Sequence, residues 1–178
     1  METGERVMGP GTVPRFMGVP GPMTLSPVSI QDAYAPTGIC FGCGASGHGL
    51  RLKSFPQPDG TVVCRFTPSP EHQAFPGVLN GGIIGTVLDC HMNNAAAWFL
   101  MQRDREERLP STVTAEFTVK LKRPTPFPAE TMTTARIVES EGDRVVVEAE
   151  MVTAGKVTAT GRGVFIRVHE GHPAYQRW

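Results

Sequence analysis

Apolar and polar positions divide the chain into three stretches. Residues 1–30 show neither helical nor alternating periodicity. They hold five Gly, five Pro and four Met among few charges, a composition that predicts a disordered or extended arm. The arm is assigned to residues 1–35 and a single domain to 36–178. From Leu50 the pattern alternates: Leu50, Leu52 and Ser54 interleave with Arg51 and Lys53, Pro58-Asp59-Gly60 marks a turn, and residues 62–67 read as the returning strand. A helix follows over about 81–103. Ile83, Ile84, Val87, Leu88 and the run 95–101 cover nearly every direction around its axis, so it is predicted to be buried. Four alternating segments complete the domain, at 113–122, 131–139, 144–153 and 156–168. Gly142-Asp143 and Ala154-Gly155 supply tight turns between the last three, and the tail from His169 reads as irregular.

Two strands, one long helix and four strands lack the strand–helix alternation of a doubly wound parallel sheet. The predicted class is α+β: a curved antiparallel sheet of about six strands wrapped around one buried helix. A single sheet leaves the far side of that helix open, so a second subunit is expected to cover it.

Within the helix Asp89 stands out. A carboxylate among apolar neighbours costs several kcal/mol unless it is paired or protonated. Its helical neighbours Gly85, Thr86, Asn93 and Ala96 are mostly small, leaving room for a ligand, and Asn93 could orient a water. The plainer alternative is an ion pair with Arg123, Arg136 or Arg162. Asn80-Gly81-Gly82 opens the helix, where unsatisfied N–H groups can hold an oxyanion, or where Asn80 simply caps. Gly81 and Asp89 lie eight residues apart, a rise of about 12 Å. They cannot meet one atom from within a single helix, which favours a site shared across a dimer.

Composition narrows the function. Seventeen basic residues balance seventeen acidic ones, so a nucleic-acid partner is not expected. No apolar run is long enough to cross a bilayer, and the start lacks a secretory apolar region; a cytoplasmic protein with no membrane partner is expected. The four cysteines read as free thiols. Cys40 and Cys43 form a CxxC, but zinc usually takes two such pairs, and His48 and His72 are not at a recognised spacing. No metal site is expected. His91 reads as a core histidine, and Gly161-Arg162-Gly163 as a bulge or a close backbone approach.

The run His72-Gln73-Ala74-Phe75-Pro76-Gly77-Val78-Leu79-Asn80-Gly81-Gly82 followed by Leu88-Asp89 resembles the PaaI-like acyl-CoA thioesterases of the hotdog fold. Cys40-Phe41-Gly42-Cys43-Gly44 and Gly49-Leu50-Arg51-Leu52 resemble one bacterial branch of them, and the likeness spans about 40–168. It implies hydrolysis of acyl-CoA thioesters by a homodimer or a dimer of dimers. Asp89 would be nucleophile or general base, and the Gly81 N–H would polarise the carbonyl. Asn93 and Thr114 would assist. Coenzyme A, as part of the substrate rather than a separate cofactor, would meet Asn80, Gly82, Lys122, Arg123 and Arg162. Two positions depart from the family: its His is Asn80 here, and its upstream amide residue is Ala74, with Gln73 one place earlier as a substitute. The alternatives are a hotdog protein that binds acyl-CoA or a metabolite without turnover, and a hydroxyacyl-thioester dehydratase.

Overall fold

A computed structural model of the chain describes residues 28–45 and 47–176. Most of the expected arm, residues 1–27, lies outside them. Its last part does not remain an arm: Ile30–Tyr34 form a short helix, α1, whose first turn is capped by the Ser29 side chain. Ile30 enters the core, so the ordered domain begins before the expected boundary at 35.

The strands β1 (Ser54–Pro56) and β2 (Val62–Phe66) precede a 3-10 turn at Pro70–His72 and two very short strands, β3 (Gln73–Phe75) and β4 (Val78–Leu79). The long helix α2 (Gly81–Asp104) follows, then β5 (Thr112–Leu121), β6 (Thr131–Glu141), β7 (Arg144–Thr153) and β8 (Lys156–Arg167). Six strands form one antiparallel sheet in the order β1-β2-β6-β7-β8-β5, while β3 and β4 pair apart from it. The sheet curves against α2, the hotdog arrangement. Among the described residues no helix is long and apolar enough to cross a membrane.

The helix lies close because the sheet is thinned beneath it. A Cβ on Gly161 would stand 3.0 Å from Met92 Cε and 3.4 Å from Leu88 Cδ2. Gly161 therefore serves close approach, and the nearby bulge sits across the ladder on β5. There Thr114 pairs with Phe165 and Glu116 with Val164, leaving Ala115 as the extra residue. The bulge reverses the phase of the strand. Thr112 and Thr114 reach α2 before it, whereas Phe117 and Leu121 lie against Gly85 and Gly81 after it.

Leu50 and Leu52 are buried, as their alternation predicts, but the first strand starts only at Ser54. Their amides are taken instead by the loop before them: Leu50 N–H donates to Phe41 O (2.9 Å) and Leu52 N–H to Gly42 O (3.0 Å). Arg51 between them has φ 51°, a left-handed backbone that breaks the extended run. The predicted turns hold: Gly60, Gly142, Ala154 and Gly155 all take positive φ.

His91 is sealed in the core. Its Nε2–H donates to Val62 O (3.0 Å), and its Nδ1 accepts from Ser54 Oγ (2.9 Å). Ser54 is held in turn by the Gln31 side chain, so one imidazole links α2, β1, β2 and α1. Burial pulls its pKa from 6.5 down to about 4. The unfolded chain thus takes up this proton at a higher pH than the folded one. Stability is full above pH 6.5 and falls as pH drops towards 4, by as much as about 3 kcal/mol from this residue. Urea denaturation at pH 7.5 and 4.5 should show a loss of that order, and His91→Gln should reduce the difference between the two pH values.

Candidate active site on the buried helix

Asp89 sits near the middle of α2, half-buried. Thr114 Oγ1 donates to its Oδ1 at 2.8 Å. Burial raises the carboxyl pKa above the ordinary value, the Thr114 hydrogen bond offsets part of that, and the Cys40 sulfur nearby raises it further. The ion-pair alternative fails, because all three arginines are engaged elsewhere. Arg123 donates to Val157 O (2.6 Å), and Arg136 and Arg162 both bind Glu148, at 2.6 and 2.9 Å. Asp89 is therefore a basic carboxylate positioned by a hydroxyl.

Asn93, one turn on, is buried, and its Oδ1 accepts from Thr112 Oγ1 (2.8 Å). That oxygen holds the first residue of β5 to the helix and is thereby committed. Asn80 caps α2: its Oδ1 accepts from the N–H of Gly82 (2.7 Å) and of Ile83 (3.4 Å). The cap fills those two amides and leaves the Gly81 N–H outside its reach. Gly81 is exposed, and a Cβ there would lie 3.3 Å from Leu121 Cδ1. This brings the helix start beside the end of β5, where Lys122 and Arg123 follow, both exposed. Gln73 serves its own hairpin, with Nε2 donating to Pro70 O and Oε1 accepting from Gly77 N–H, each at 3.2 Å. Arg162, on β8, shares Glu148 with Arg136.

The fold can be set beside solved structures. A thioesterase superfamily protein from Shewanella loihica PV-4 shares 30% identity over 78% of this chain and 99% of its own, with a TM-score of 0.59. The chain belongs to the thioesterase superfamily. A conserved protein from Pseudomonas aeruginosa has the same fold at 23% identity, covering 67% of this chain and 90% of its own, with a TM-score of 0.56. Escherichia coli PaaI does so at 18% identity, covering 67% and 81%, with a TM-score of 0.56. No protein-family model matches the chain, and no curated protein does.

One cluster in this thioesterase-superfamily chain went unread in the sequence. The thiols of Cys40, Cys43 and Cys90 converge within 4.8 Å of one another, immediately beside Asp89 on the helix. Cys90 stands fifty residues from Cys40, and nothing in the CxxC itself points to it.

The cap has a measurable role. Asn80→Ala removes the acceptor for two first-turn amides and should lower stability by about 1 kcal/mol. Asn80→Asp, which keeps that acceptor, should retain it; thermal melts of the three proteins would check both.

Proposed function

We propose that this protein hydrolyses acyl-CoA thioesters to the free acid and coenzyme A, with Asp89 as general base. The observation that carries the reading is the half-buried Asp89 carboxylate, held by the Thr114 hydroxyl rather than by Arg123, Arg136 or Arg162, which bind elsewhere. Burial makes it a stronger base than a solvated carboxylate, which suits proton abstraction from water. In the proposed step, Asp89 takes a proton from a water whose oxygen attacks the thioester carbonyl carbon. The resulting oxyanion is held by the Gly81 N–H of a second subunit. The C–S bond then breaks, and coenzyme A leaves as a thiolate that regains a proton.

Gly81 and Asp89 are eight positions apart on α2, so this reading pairs Asp89 of one copy with Gly81 of an antiparallel helix in a second. With Oδ1 spent on capping, Asn80 offers its Nδ2 as a second donor beside Gly81, a role the family gives to His. Lys122 and Arg123, exposed at the end of β5, suit the phosphates of coenzyme A. Arg162 contributes less, its side chain being tied to Glu148. Asn93 and Gln73 act as positioning residues, the first through Thr112 and the second through the β3–β4 hairpin.

Thiol release from a panel of short, long and aryl acyl-CoAs tests this. Asp89→Asn should lower turnover by about 100-fold or more while coenzyme A still binds. Thr114→Val, which removes one hydrogen bond to a charged group, should cost roughly tenfold. Absence of turnover across the panel, with binding retained, would make the chain a ligand-binding protein instead.

A further inference from the structure

The Cys40–Gly44 turn is built against the helix with little slack. A Cβ on Gly42 would collide with Cys90 Sγ, and one on Gly44 would collide with the backbone oxygens of Gly38 and Cys40. Gly44 N–H closes the turn on Cys40 O (2.8 Å), while Leu50 and Leu52 clamp Phe41 O and Gly42 O from the other side. The result is three sulfurs in one place: Cys40 Sγ lies 3.7 Å from Cys90 Sγ, and Cys43 completes a triangle with no edge beyond 4.8 Å.

Hydrogen-bond donors reach two of the three sulfurs. Besides the neighbouring thiols, the backbone N–H groups of Cys43 and Gly42 point at Cys40 Sγ. Asn94 Nδ2 donates to Cys43 Sγ (3.5 Å) and to Cys90 O (2.8 Å), while its Oδ1 is buried without a partner. Donors aimed at sulfur are what orient and stabilise metal-bound thiolates. Bonds of about 2.3 Å at tetrahedral angles separate neighbouring sulfurs by roughly 3.8 Å, close to the 3.7 Å found. An odd number of thiols cannot all be consumed by disulfides.

We propose that Cys40, Cys43 and Cys90 form a site for one thiophilic divalent cation of the zinc type, with its fourth position open to solvent on the exposed Cys40 side. On binding, three metal–sulfur bonds form and the thiols release their protons to water; nothing is oxidised. The cation ties the 40–44 turn to α2 one residue beyond Asp89. This assignment replaces the expectation of packed thiols alone and is independent of the proposed hydrolysis, since its readout is binding.

The test uses the full chain, reduced with a phosphine, stripped with chelator and titrated with cobalt(II), then zinc(II). One cobalt per chain should bind with a thiolate charge-transfer band and the visible bands of a tetrahedral site, and zinc should displace it. Cys40→Ser alters an exposed side chain and should preserve the fold by circular dichroism. It should weaken cobalt binding at least tenfold and diminish the charge-transfer band. Gly42→Ala keeps every thiol but pushes the turn off Cys90, and should also weaken binding. Cys64→Ala, outside the cluster, should bind as the parent does. Failure of the folded parent to give the tetrahedral spectrum would overturn the proposal, as would equal affinity in the parent and Cys40→Ser.

Discussion

The fold depends on burying a helix that is not wholly apolar. Asp89, His91, Asn93 and Asn94 of α2 are four polar side chains answered from three parts of the chain. Thr114 meets Asp89 and Thr112 meets Asn93, both from β5. Ser54 and Val62 meet His91 from β1 and β2. The Cys43 sulfur and the Cys90 carbonyl meet Asn94. A buried polar group left unmade costs more than the bond itself returns, so these pairings restrict where each element can sit relative to the helix. Apolar packing brings the sheet to α2; the polar set decides the rotation and the register.

That division explains why Asp89 keeps its distinctive state. Its partner is a neutral hydroxyl, which orients a carboxylate without neutralising it. Arg123, Arg136 and Arg162, the pairing candidates in the sequence, are held instead by the Val157 carbonyl and by Glu148. The same helix start that offers Gly81 has its next two amides filled by Asn80, so capping and the exposure of one amide are parts of one geometry.

Much of this was legible in the chain. The long helix, the six main strands and three turns followed from period and from turn residues, because burial on one face imposes a strict alternation. The β3–β4 hairpin was not, since strands of three and two residues are too short to show any period. Nor was the start of β1, where hydrogen bonds to a loop replace strand pairing although the burial pattern is that of a strand. At the site, Asp89, Thr114 and the Asn80 cap could be located from spacing and resemblance. The engagement of the arginines and the arrival of Cys90 beneath the CxxC turn depend on tertiary placement that no local pattern encodes.

The extra residue in β5 carries a consequence for anyone recombining this domain. Because Ala115 reverses the phase of the strand, the Thr112–Thr114 half and the Phe117–Leu121 half obey opposite inside–outside rules. A transplanted strand with the same composition and no bulge could satisfy only one half. It would either turn Thr114 away from Asp89 or turn Phe117 and Leu121 away from the helix start. Residue count at this point, more than residue identity, is therefore what a chimaera has to inherit.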